Sequence, residues 1–176
     1  MKAFTLLEVL VCLAIVAIVA AFATPAFLAA KEKSKITASL GRLHQLQMAV
    51  MIYHADDDQA SDYAVESFPP FDYVYSTYLG FGEDFFRSPC GYKPGIEDNL
   101  KHISYQYTPY PIMRASHDYF AKYGPKAVLF RDCHCNDAIS WNSAYLMKRG
   151  LAVTVEGTLL NIYKRGTPLD DWWTQP

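Results

Sequence analysis

The constraint that dominates this chain is an apolar run near its start that carries two residues such a run ordinarily rejects. Residues 9–23 read VLVCLAIVAIVAAFA, with no side chain more polar than a thiol, and Phe4–Leu7 before and Ala26–Ala30 after extend it. An apolar helix of more than about 20 residues is long enough to cross a hydrocarbon core of about 30 Å. Glu8 sits at the start of the run and Pro25 lies inside it. A carboxylate in a transmembrane helix costs about 2.5–3.5 kcal/mol at the centre and less near the interface, so its presence calls for a cationic partner. Proline deletes a backbone donor and crowds the preceding turn, which makes Pro25 a place for the helix to bend. A secretory signal would instead be cut after the run, at Ala21-Phe22-Ala23 or Ala26. That reading leaves Glu8 unexplained and severs a pattern that continues helically into Lys31.

Lys31-Glu32-Lys33-Ser34-Lys35 marks the exit from the apolar stretch and reads as a solvated turn. By the positive-inside expectation its three lysines, opposed only by Lys2, would place this side of the apolar run in the cytoplasm. Beyond them Ile36, Leu40, Leu43, Leu46, Val50 and Tyr53 recur at spacings of three and four, the pattern of an amphipathic helix. A helix from Phe4 to Asp56 would be about 80 Å long at 1.5 Å per residue, so its second half must pack on a folded domain. Asp56-Asp57-Asp58 oppose the helix dipole and mark its end. These three carboxylates are weak candidates for Ca²⁺, since they lack the spacing of an EF-hand, and a solvated acidic loop is the preferred reading.

The aromatic residues, 13 Tyr, 10 Phe and 3 Trp, lie almost entirely after Tyr53, among most of the glycines and prolines. This part reads as a folded, loop-rich head, not as disorder. A formal charge of -2 supplies no basic field for a phosphate backbone, so nucleic acid is excluded as a partner. Residues 61–125 read as a turn-rich connector. Strand patterns follow at Lys126–Asp132 and at Gly150–Arg165, the second a hairpin turning at Glu156-Gly157. The economical fold is α+β: a long N-terminal helix whose second half packs on a small antiparallel sheet. The segments are then a short start at 1–3, a helix of transmembrane length at 4–30, an amphipathic helix at 31–60 and a globular head at 61–176.

The chemistry-bearing residues are few. Asp132-Cys133-His134-Cys135-Asn136-Asp137, with Cys90, is the one constellation resembling a metal or catalytic centre, but Cys-His-Cys is too tight for most structural zinc sites. A disulfide from Cys90 to Cys133 or Cys135 ranks first, free thiols second and zinc third. A Cys133–His134 nucleophile and base pair fails because adjacent side chains on a strand diverge, which leaves a distant histidine, His102 or His117, as the alternative base. No nucleophile elbow, phosphate-binding loop, zinc-protease or dinucleotide motif is present, and the chain does not read as an enzyme.

Phe4-Thr5-Leu6-Leu7-Glu8 followed by the apolar helix resembles the N-terminal signature of type IV prepilins and type II secretion pseudopilins. In that family a prepilin peptidase cuts before the aromatic residue, which maps onto the Ala3–Phe4 bond. Phe4 would become an N-terminus, often methylated, with Glu8 fifth and Pro25 twenty-second, where the family has its acidic residue and a helix-disrupting proline. Ala3 departs from the glycine usual before the cut. Leu43–Asp58 resembles the family's L-x-Q-L-x-x-A-x-x-x-Y-A-x-D stretch. Ser88-Pro89-Cys90 and Ser104–Tyr107 resemble its C-P and S-Y-x-Y segment, with Cys and Pro reversed. Gly150 onward resembles the H-x9-D-G type C-terminal region, with Glu156 for the aspartate. The resemblance implies a filament subunit in the bacterial inner membrane with an extracytoplasmic head. Its partners would be other pilins or pseudopilins, a prepilin peptidase, an inner-membrane assembly platform and membrane lipid, with Phe4, Glu8 and Pro25 serving assembly. The rival reading is a signal-anchored extracytoplasmic protein that binds a ligand or metal and never polymerises.

Overall fold

Helix α1 runs from Leu6 to Asp56 with Pro25 inside it. The structure, a computed structural model, describes residues 6–56, 68–69, 74, 82–91, 105–108, 114–136 and 147–165. The chain divides into a first unit, Met1–Lys35, and a second, Ile36–Pro176. In the first unit every described residue as far as Ser34 is exposed. Over residues 9–30 leucine, alanine, valine and isoleucine all round the helix leave no charged side to face water, the composition of a helix meant for an apolar surround. Near the proline, Thr24 Oγ1 donates to the carbonyl of Ala20 at 2.7 Å.

In the second unit α1 becomes one-sided. Ser39, Leu43, Leu46, Gln47, Val50 and His54 are its buried residues, at the three-and-four spacing of one face. That face meets an antiparallel sheet whose described strands are β1 (Tyr105–Tyr107), β2 (Val128–Asp132), β3 (Met147–Thr154) and β4 (Leu159–Arg165), ordered β1-β2-β3-β4. β2 pairs with β3 through Asp132↔Leu151 and Phe130↔Val153, with a register shift between Val128 and Phe130. The β3–β4 hairpin turns at Glu156-Gly157 as expected, and Gly157 holds a φ of +90° that a side chain would strain. Gln47 Nε2 donates to the Val155 carbonyl at 2.7 Å and so ties the helix to that turn. The core gathers Leu43, Leu46 and Val50 with Tyr105, Phe120, Phe130, Leu151 and Val153.

Two elements differ from the sequence reading. The segment read as a connector contains a helix, α2 (Arg114–Tyr123), which buries Phe120 and closes at a 3-10 turn, Gly124–Lys126. Its Ser116, Tyr119, Phe120 and Tyr123 have helical spacing, but the Gly124-Pro125 punctuation next to them dominated the pattern. β3 begins at Met147, ahead of Gly150, because Lys148 and Arg149 disguise its first residues.

A buried carboxyl locks helix to sheet. Asp132 is fully buried; its Oδ2 accepts from Ser39 Oγ on α1 at 2.6 Å and from Ser88 Oγ at 2.7 Å. Its Oδ1 accepts from the His134 backbone N–H at 2.8 Å and faces the His134 ring Nδ1 at 3.2 Å. Next to it, Arg42 Nη1 donates to the carbonyls of Asp84 and Arg87, pinning the 3-10 turn Glu83–Phe86 against α1. Burial, with the nearby Asp132 charge adding to it, pushes the Tyr105 phenol well up. Burial likewise pushes Tyr119 up to about 12, while its oxygen accepts from the Val128 N–H at 2.7 Å.

Three outcomes are expected from urea unfolding in detergent micelles. Leu43→Ala should cost about 2–5 kcal/mol, whereas Met48→Ala, on the exposed side of the same helix, should cost less than about 0.5 kcal/mol. Asp132→Ala strands two hydroxyls and an amide without their acceptor and should cost at least about 3 kcal/mol. The Tyr119 proton is held more tightly in the native chain than in the unfolded one. Its stabilisation is therefore complete below the unfolded value of 10.0 and is lost as pH rises toward about 12. A plot of stability against pH across that window should be flatter in Tyr119→Phe.

Candidate functional site

Two regions carry the residues singled out in the sequence, and they are built in opposite ways. In the first unit, Ala3 and Phe4 lie outside the described residues, as does the segment to Thr5. Glu8 falls in the first turn of α1, exposed, where the unsatisfied N–H groups of a helix start favour negative charge. Leu6, Leu7, Val9, Leu10, Val11, Leu13, Ile15, Val16, Ile18, Val19, Phe22, Phe27 and Leu28 are all exposed large apolar side chains. Burying one such side chain is worth about 1.5–3 kcal/mol, so a surface of this kind is stable in water only when covered. Among the described residues α1 is the one helix long and apolar enough to cross a membrane. Pro25 interrupts its donor series without ending it. Cys12 is exposed on it and lies outside the disulfide.

In the second unit the cysteines resolve into one bond and one thiol. Cys90 and Cys135 form a disulfide, and Cys133 is buried outside it. The bond closes a sequence separation of 45 and lies beside the Asp132 lock: Ser88, which donates to Asp132, also accepts from the Cys90 N–H at 3.2 Å. Asn136 shapes the turn after β2, donating to the carbonyls of Cys133 and Arg149 and accepting from the Arg149 N–H. Sequence reasoning named Asp132 and His134 as part of a possible centre but missed Ser39 and Ser88. Ser39 was legible as a hydroxyl set between Ile36 and Leu43 on the apolar side of the helix; Ser88 offered no such signal.

Carboxyl, imidazole and hydroxyl are the ingredients of a nucleophilic triad, but here they are wired differently. Both hydroxyls donate to the carboxyl, not to the imidazole, and Asp132, His134, Ser39 and Ser88 are all buried from solvent. The arrangement holds segments together. Asp56 closes α1 and is exposed, while Asp57 and Asp58 lie outside the described residues. Among the described residues no group of three or more His, Cys, Asp or Glu side chains converges on a point where a metal would sit.

Comparison with known proteins adds one finding. Residues 1–24 match the family model described as the prokaryotic N-terminal methylation motif. No curated protein and no solved structure matches the chain significantly. The match covers Glu8 and most of the exposed apolar helix, and it stops one residue short of Pro25. At the head of a helix able to span a membrane, this chain carries the N-terminal signature of the type IV pilins and pseudopilins.

Proposed function

We propose that the protein is a structural, non-enzymatic subunit of a type II secretion pseudopilus or type IV pilus-like filament. In this reading it is held in the membrane by the first half of α1 until it is assembled. The observation that carries the proposal is the methylation motif over residues 1–24 coinciding with an acidic first turn and the uncovered apolar run of residues 9–30 that follows it.

The mechanism follows from charge and cover. Cleavage between Ala3 and Phe4 exposes an α-amino group, cationic at neutral pH because such groups titrate near 7.7–8.0. That amine pairs with the Glu8 carboxylate in its own chain or in a neighbouring subunit. Either charge alone is costly in lipid or in a helical core; together they set the register of one helix against the next. Residues 9–30 exchange lipid for the helices of other subunits, keeping their apolar surface covered throughout. Pro25 supplies the local slack for that exchange. The head, extracytoplasmic and braced by its disulfide, forms the outer layer. The cleaving enzyme is a prepilin peptidase, and an inner-membrane platform drives assembly. The acidic run Asp56-Asp57-Asp58 is where Ca²⁺ would bind if the head takes an ion.

The test is the intact mass and N-terminal sequence of the protein from membranes of hosts with and without a prepilin peptidase. Peptidase-dependent loss of Met1–Ala3, leaving Phe4 first, is the expected outcome. An unprocessed chain, or one cut after the apolar run, would point to an anchored or secreted binding domain. Glu8→Ala should be inserted as well as or better than the parent and yet fail to enter filaments; normal incorporation would remove the charge-pairing role.

A further inference from the structure

We infer that the open end of the β3–β4 hairpin is a docking surface for anionic phospholipid head groups. The inference rests on the membrane-anchored part of the reading above and on neither cleavage nor filament formation.

The end in question is defined by register. Met147 pairs with Arg165, Lys148 with Lys164, and Arg149 with Tyr163. Partners in an antiparallel pair share a sheet face, so Met147, Arg149, Tyr163 and Arg165 lie together on one face. Arg149 places its guanidinium 5.4 Å from the Tyr163 ring centroid, as that register requires. Lys164 and Arg165 are exposed, Arg149 is half-buried, and Lys148 is fully buried behind them. Two of the five exposed large apolar side chains described in this unit, Met147 and Tyr163, sit among these cations. The backbone beneath is held firmly, since Asn136 brackets Arg149 with hydrogen bonds to both its N–H and its carbonyl. Guanidinium and ammonium groups interleaved with a tyrosine and a methionine match the chemistry of a bilayer's head-group layer, where phosphates meet the first methylenes.

What singles out lipid from other anionic partners is where the chain enters this unit. Ser39 bonds to Asp132, which is paired with Leu151, and Gln47 bonds to Val155. Eight helical residues rise about 12 Å and four strand residues about 13 Å, so α1 and β3 run in the same direction side by side. Ile36, the first residue of the unit, therefore lies at the end where β3 starts and β4 stops, the end that carries the cations. The opposite end carries the turn with Glu156. A head tethered through Ile36 to a membrane helix has its basic end nearest the tether, and each cation near an anionic surface favours the docked state about fivefold.

The test uses the full chain in nanodiscs of phosphatidylglycerol with phosphatidylcholine, compared with phosphatidylcholine alone, by hydrogen exchange of the β4 amides. Co-elution with the nanodisc reports the anchor, and exchange reports docking. At low salt, exchange over residues 161–165 should be slowed about tenfold or more by the anionic lipid, and 0.5 M salt should erase the difference, about 4 Å of screening replacing about 10 Å. Arg149→Gln with Arg165→Gln should lose the lipid dependence, while Arg149→Lys with Arg165→Lys should keep it. Equal exchange in the two lipids, or a lipid effect that the glutamine variant retains, overturns the inference and leaves the anchor standing. Failure to co-elute removes the anchor and the inference together.

Discussion

The head depends on a carboxyl group that has no business in an apolar core unless every one of its hydrogen bonds is made. Asp132 ends a strand that begins Val128-Leu129-Phe130, and it lies on the face that meets α1. Its two oxygens collect donors from three separated pieces of chain: Ser39 on the helix, Ser88 in the loop before Cys90, and His134 just past the strand. Burying such a group is costly by itself, and the cost is offset only in one arrangement of those pieces. A slip of β2 by one residue would turn Asp132 to the other face and leave its donors stranded. The lock thus specifies register where leucines and valines alone would tolerate several packings.

The two halves of α1 solve opposite problems with the same backbone. Up to Ser34 its side chains remain exposed, and the run from Val9 to Ala30 carries no charge, so hydrophobicity provides adhesion without direction. Direction has to come from the few features that are not apolar, and Glu8 in the first turn is the most demanding of these. From Ile36 onward the helix has a sheet to face, and its polar residues are used inward: Ser39 reaches Asp132, Gln47 reaches Val155, and the His54 ring lies 5.2 Å from that of Phe68. Cover in the first half must come from outside the described fold; in the second it comes from within.

This asymmetry explains what could be read from the residues alone. The helix, its one-sided second half, the hairpin and its Gly157 turn were legible because each is written in local periodicity or in a backbone requirement that only glycine meets. The N-terminal signature was legible because Glu8 and Pro25 break a pattern, and a broken pattern is informative. The Asp132 lock was not, since it joins residues 39, 88 and 132, and nothing local distinguishes a buried serine from a solvated one. Helix α2 and the first residues of β3 were obscured for a related reason: punctuation and charge at their ends outweighed a short apolar pattern whose partner is distant in sequence.

The choice between Cys133 and Cys135 shows the same principle at its smallest scale. Both stand two positions apart beside Cys90's loop, and alternation along an extended segment cannot separate them. Asn136 does so by bending the chain: its side chain holds the Cys133 carbonyl and the Arg149 backbone, and the bend occupies Cys135 and Asn136. Cys135 is thereby brought against the core on the α1 side, where Ser88 has already fixed the Cys90 loop, while Cys133 stays buried outside that cluster. The noncovalent lock and the disulfide close nearly the same loop, Ser88 to Asp132 and Cys90 to Cys135, so the arrangement that satisfies the carboxyl is also the one in which these two thiols meet.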